Sequence, residues 1–170
     1  MTFKKTEQFA SFIKLANDIS ANRILELGTI DSAFLSEFVR QANWSDSISL
    51  HCVDPGNETF DSELMEAATN NDSVEFNVIK HVGSETEVND AVLTAAQEEL
   101  FDMVLVSGAS SQPSLLTACM VCNEIVRTGG IVAIAEAVMA GGSMAEAVQS
   151  FSDIFEDSFD EREPGIYTRK

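Results

Sequence analysis

The apolar positions of this chain change their spacing again and again. In TEQFASFIKLANDIS (6–20) they fall three and four apart, as one face of a helix requires, whereas RILELG (23–28) packs them into a short strand-like run. The alternation continues through a helical DSAFLSEFVRQAN (31–43), an extended ISLHCVD (48–54), a helical ETFDSELMEAATN (58–70) and an extended VEFNVIKHV (74–82). Then come helical SETEVNDAVLTAAQEEL (84–100), extended FDMVLVS (101–107), helical QPSLLTACMVCNEIVRT (112–128) and extended GGIVAIAEA (129–137). Strands alternating with helices are the signature of a parallel sheet with crossover helices. A further helix in SMAEAVQSFSDIF and two short strands about Pro164 and Gly165, which suit the centre of a type II turn, complete the chain. The pattern predicts an α/β fold: a Rossmann-like, doubly wound, mostly parallel sheet with helices on both faces and a C-terminal antiparallel strand pair. One domain over residues 1–170 is expected, with the ligand cleft between the ends of strands one and two.

Local punctuation fits these limits. Asp31 or Ser32 is placed to cap the helix that carries Phe34, Leu35, Phe38 and Val39, and Pro113 falls in a first turn where its missing N–H costs nothing. Arg127 is expected to close its helix before the Gly129–Gly130 stop.

Charge narrows the partners. The chain has 170 residues, 45% of them hydrophobic, enough to bury a full core, and its 28 acidic against 10 basic residues give a formal charge of −18. Such a surface repels phosphate backbones and anionic headgroups, so neither nucleic acid nor a membrane surface is an expected partner. The N-terminus has no unbroken apolar core of the signal-peptide kind, and GGIVAIAEAVMAGG is too short to span a bilayer and is broken by Glu136, so a cytoplasmic protein is expected.

Cys119 and Cys122 invite a metal reading, but with Leu115 and Val126 they follow the rhythm of one buried helix face, and core packing is expected of them. His51 and Cys52 would complete a zinc set only if strand two ended beside that helix. His51 and His81 are read as incidental residues beside strand ends.

The first strand delivers Gly28 to the carboxyl end of the sheet, where open α/β sheets bind ligands. GTIDSA supplies one glycine where a dinucleotide loop uses three, and no Gly-Lys-Ser or Gly-Lys-Thr occurs, so neither a dinucleotide nor a P-loop phosphate is favoured. ILELGT resembles the first motif of class I S-adenosylmethionine-dependent methyltransferases, particularly the small O-methyltransferase-like branch whose first strand reads much like VLEIGT. HCVDPG is similar to the family's second-strand motif, and FDMVLVSGASSQPSLLTACMVCNEIVRTGGIVAIAEA to its fourth strand, helix and Gly-Gly-led fifth strand. About residues 6–140 follow the family's order.

The resemblance implies S-adenosylmethionine as cofactor and a small-molecule methyl acceptor. Its ammonium would fall to Glu26, directly or through water, and its carboxylate to free N–H groups at the following helix start, in the Gly28, Thr29 and Ser32 loop. Asp54, 26 residues beyond Gly28, would take the ribose hydroxyls, and Gly83 and Ser84 would form the adenine-side turn. The chain departs from the family at Ser32, where a second glycine is usual, and at Phe34, where a small hydroxyl residue is common. It departs again after strand four: metal-dependent relatives end there in an IDG-x-H-like motif, whereas Val106–Ser110 reads VSGAS. Ser107 replaces the aspartate and Ser110 the histidine, which removes the hard charged ligands that magnesium prefers, so no metal is expected. Ser107 is kept among the cofactor-side positions.

Methyl transfer needs an acceptor held in line and, for a hydroxyl, a base. Glu136, at the end of strand five, is the candidate base. Two functions stay open: a metal-independent methyltransferase of a small molecule, or a catalytically inactive methyltransferase-like binding or scaffold protein. A nucleotide-binding α/β protein is a third reading. A homodimer or a protein partner is compatible with either of the first two.

Overall fold

The computed structural model describes residues 7–28, 32–41, 47–53, 64–67, 69–70, 74–107, 111–135 and 142–170; at 7–9, 32–35 and 142–144 it gives the backbone course alone. Seven strands are described: β1 (Arg23–Leu27), β2 (Ile48–Val53), β3 (Phe76–His81), β4 (Phe101–Val106), β5 (Val126–Ile134), β6 (Phe159–Glu163) and β7 (Ile166–Arg169). The longer helices are α1 (Glu7–Asp18), α2 (Ser32–Gln41), α3 (Glu85–Glu98), α4 (Gln112–Ile125) and α5 (Gly142–Ile154), with a helical turn at 64–67.

The seven described strands join one sheet in the order β3-β2-β1-β4-β5-β7-β6. The first five run parallel, and β7 and β6 close the edge antiparallel. Gly165 has φ +78°, the left-handed value that the third position of a type II turn demands, between β6 and β7. RILEL is thus an interior strand, with β2 on one side and β4 on the other. The chain order reverses between β1 and β4, and that reversal marks where a doubly wound sheet opens its ligand crevice.

Strand alternation sorts the core into two layers. Ile24, Leu50, Met103, Leu105, Ile131 and Ala133 pack with Phe12 and Ala16 of α1 and with Phe38 and Val39 of α2. Leu25, Leu27, Val104, Val106, Val132 and Ile134 pack on the other face with α3, α4 and α5, through Val88, Cys119 and Phe151. Buried on both faces, β4 is apolar at every position but Asp102. Cys52 lies in the first layer and Cys119 and Cys122 in the second. Burial pushes the Cys119 thiol up to about 12 and Cys122 higher than an ordinary thiol as well, so both sit as protonated core residues.

The helix starts follow local chemistry. Ser84 caps α3 in a capping box with Glu87, and Ser111 caps α4, with Pro113 in its first turn. The end of α4 differs from expectation. The helix stops at Ile125, and Val126 is already extended (φ −89°, ψ 132°), so the two glycines lie inside β5 and do not halt the helix. Their smallness has another use: a Cβ on Gly130 would lie 2.8 Å from the Asp102 carbonyl oxygen and 2.9 Å from that of Arg127, at a register irregularity between β4 and β5.

Arg127, freed from the helix, pairs with Asp102. The other Asp102 oxygen accepts the backbone N–H groups of Asn22 (2.8 Å) and Arg23 (2.9 Å), so one carboxylate ties the amino ends of β1 and β4 to the start of β5. Asp102 is the one acidic residue in a strand otherwise wholly apolar. Asp102→Ala orphans two backbone donors and a guanidinium, and a loss of about 3 kcal/mol is expected. Urea unfolding measures it; a midpoint within error of wild type would contradict the assignment.

Candidate functional site

The carboxyl ends of β1 and β4 meet at a small polar cluster in an apolar setting. Glu26 is 2% exposed and Ser107 4% exposed. The Ser107 hydroxyl donates to Glu26 Oε1 at 2.6 Å, with the Gly28 carbonyl oxygen at 3.1 Å as a second, weaker acceptor. Its backbone N–H donates to the Leu27 carbonyl at 2.9 Å, which continues the β1–β4 ladder by one residue. Gly28 itself has φ +93°, a conformation that side-chain-bearing residues rarely adopt. The chain therefore turns away sharply at the strand end, directly beside a buried carboxylate. Of the residues expected at the site, Glu26, Gly28 and Ser107 are brought together.

Gly83 and Ser84 lie past the end of β3, two strands from β1. Gly83 has φ +142°, and a Cβ there would meet the Glu87 side chain at 2.9 Å. Ser84 is occupied as a cap: its hydroxyl donates to Glu87 Oε2 at 2.7 Å and accepts the Glu87 N–H at 3.4 Å. Thr29, Asp54 and Glu136 lie outside the described residues, as does the side chain of Ser32. Ser110, expected in place of a metal-binding histidine, is also outside them. At position 107 the chemistry can be tested directly. A neutral hydroxyl whose proton is engaged by Glu26 is a poor replacement for an anionic metal ligand. Among the described residues no group of three or more His, Cys, Asp or Glu converges.

His81 ends β3, as the sequence placed it, whereas His51 is not at a strand end. His51 sits inside β2, and its side chain enters the layer beneath α3, where the His81 ring reaches it: His51 Nδ1 lies 3.0 Å from His81 Nε2. His51 Nε2 lies 3.2 Å from the Ser49 hydroxyl, and its ring meets Phe101 edge-on. The signal was available, since Ser49 and His51 alternate on one face of a strand whose other positions are apolar. Their partner, 30 residues away, was not.

The fold is similar to that of solved O-methyltransferase structures of low sequence identity. No family model and no curated protein matches the chain, and the likeness is one of structure. A Staphylococcus aureus protein provisionally assigned as a caffeoyl-CoA O-methyltransferase superposes with TM-score 0.65 at 15% identity, over 99% of this chain and 86% of that one. The O-methyltransferase TomG of Streptomyces achromogenes, solved with S-adenosylmethionine and involved in tomaymycin synthesis, gives 0.59 at 19% identity over 91% and 70%. An O-methyltransferase of Bacillus cereus solved with S-adenosylhomocysteine gives 0.59 at 14% identity over 99% and 83%. No described helix is long and apolar enough to cross a membrane.

The histidine pair has a consequence for stability. Burial, then the Arg23 guanidinium and the His81 ring, lower the His51 pKa to about 4, and burial lowers that of His81. An unfolded histidine takes up its proton near pH 6.5, so between about 6.5 and 4 the unfolded chain binds more protons than the folded one. Stability is therefore full above pH 6.5 and falls as the pH is lowered through that window, by about 2–3 kcal/mol for His51. His51→Gln keeps a hydrogen-bonding side chain that cannot titrate. It should flatten the decline in chemical denaturation between pH 6.5 and 4; an unaltered slope would remove the pair as its source.

Proposed function

We propose that this protein is a metal-independent S-adenosylmethionine-dependent methyltransferase acting on a small molecule. The observation that carries the reading is the buried Glu26 carboxylate, held by Ser107 beside the positive-φ turn at Gly28, at the point where strand order reverses. A ligand with a cationic amino-acid end and no phosphate suits that arrangement. A pyrophosphate does not, because a buried carboxylate would repel it.

S-adenosylmethionine, when bound, supplies an electrophilic methyl group. Glu26 would receive its ammonium, the loop from Gly28 through Thr29 to Ser32 its carboxylate, and Asp54 its ribose hydroxyls. Gly83 and Ser84 would border the adenine by van der Waals contact, because the Ser84 hydroxyl and N–H are both engaged with Glu87 and its carbonyl with Val88. The protein's main contribution to rate is then placement of the acceptor in line with the methyl group. For a hydroxyl acceptor, Glu136 would take the proton. The substitution at Ser107 supports metal independence, since the strongest oxygen ligand of metal-dependent relatives is replaced by a neutral donor.

Titration calorimetry with S-adenosylmethionine and S-adenosylhomocysteine tests the reading, and heat of binding is expected with both. Charge-assisted hydrogen bonds contribute about 1.5–3 kcal/mol each, so Asp54→Ala should weaken binding by about tenfold to a hundredfold. Absence of heat at millimolar ligand would end the cofactor assignment, and binding untouched by Asp54→Ala would end the ribose role. Equilibrium dialysis with magnesium, manganese and zinc should show no stoichiometric uptake. Uptake that Ser107→Ala abolishes would overturn metal independence.

A further inference from the structure

Ser107 takes the position that carries an aspartate in the metal-dependent relatives, yet it is buried and its hydroxyl is committed. That hydroxyl has one proton. Glu26 Oε1 at 2.6 Å is its nearest acceptor, the Gly28 carbonyl follows at 3.1 Å and the Leu27 carbonyl at 3.5 Å. The shortest contact is also the one to a carboxylate, so Glu26 takes the main share of the bond. The strand pairing does not depend on this hydroxyl, because the Ser107 backbone N–H makes its own 2.9 Å bond to Leu27. Among the described residues the side chain meets the Glu26 carboxylate and, more weakly, the Gly28 and Leu27 carbonyl groups beside it.

We propose that Ser107 is a positioning residue that fixes the Glu26 carboxylate toward the cationic amino-acid end of the bound nucleoside, and so sets the preference of this site for amino-acid-bearing sulfur nucleosides over those without the amino acid. The inference rests on the cofactor reading above. A carboxylate on a two-carbon stem samples several rotamers unless its own partner selects one, and ordering it before the ligand arrives removes that entropy from the cost of binding. Ser107 selects the rotamer from across the β1–β4 seam. Its hydroxyl bonds the carboxylate assigned to the ammonium, so its influence is expected at that end of the ligand.

The test compares two probes by titration calorimetry: S-adenosylhomocysteine, which has the ammonium and carboxylate, and 5′-methylthioadenosine, which has neither. Ser107→Ala should weaken S-adenosylhomocysteine about tenfold and leave 5′-methylthioadenosine within about twofold. Ser107→Thr restores a hydroxyl and should recover most of the difference. Ser107→Cys keeps the volume with a feeble donor and should behave as alanine does. A merely structural role would weaken both probes together, and that result, or equal affinity of Ser107→Ala and wild type for S-adenosylhomocysteine, overturns the inference while leaving the cofactor reading intact. Wild-type protein that binds neither probe defeats both. Thermal melting of each variant identifies one that fails to fold, in which case Ser107→Thr and Ser107→Cys, compared with each other, decide the matter.

Discussion

The seam between β1 and β4 is the constraint on which the rest depends. Four residue pairs, from Ile24 opposite Met103 to Leu27 opposite Val106, fix its register, and both strands are buried on both faces. A parallel pair in that position cannot slip by one residue without moving a whole apolar set into the wrong layer. Polar groups lock it at each end. At the amino end the Asp102 carboxylate gathers the Asn22 and Arg23 N–H groups, and at the carboxyl end the Ser107 hydroxyl reaches Glu26. Buried polar groups of this kind add directional demands that hydrophobic contacts lack. The reversal of strand order at the same seam places its carboxyl end where a ligand crevice opens.

The stabilising tie and the candidate site thus share strands but not ends. The amino end carries the tie among β1, β4 and β5, far from any candidate site residue. The carboxyl end carries Gly28 in a left-handed conformation and a carboxylate held by a neighbour's hydroxyl. The histidine pair lies on the other side of β1, between β2 and β3, where Val53 is the register partner of His81. Neutral imidazoles in that layer spend their hydrogen-bonding capacity on each other and on Ser49, which lets polar rings sit in an apolar layer at neutral pH.

The fold was legible because its signals are local. Switching from period 3.6 to short apolar runs located the strands, and the Pro164–Gly165 pair announced the final hairpin. The end of α4 was misjudged for an equally physical reason. Glycines after a helical pattern read as a stop, but here Gly130 answers a backbone crowding set by Asp102, a residue 28 positions earlier, and β5 begins before either glycine. The site was legible in part. Glu26 and Gly28 were marked by the strand-end motif, and Ser107 by the place of its substitution. Their contact spans 81 residues and exists only through the register of β1 against β4. Asp102 was readable as a lone charge in an apolar strand, yet its partners, Asn22, Arg23 and Arg127, belong to other elements. Pairings of this sort are set by topology, and the topology appears only when the strands are ordered.

That distinction bears on how the degenerate motif after β4 is understood. By sequence alone, serine for aspartate reads as decay, because a metal ligand disappears and nothing visible takes its place. In the folded chain the same exchange swaps an anionic acceptor for a neutral donor at a point where a second carboxylate is already buried. Two carboxylates within hydrogen-bonding reach disfavour each other's ionisation unless a cation sits between them. A site that gives up the cation is therefore better served by a donor than by a second acid. A hydroxyl at position 107 meets that demand, and its 2.6 Å bond to Glu26 is the contact observed. The order around Glu26, with a hydroxyl donor at 2.6 Å and the positive-φ Gly28 beside it, is the arrangement on which the proposed cofactor reading stands.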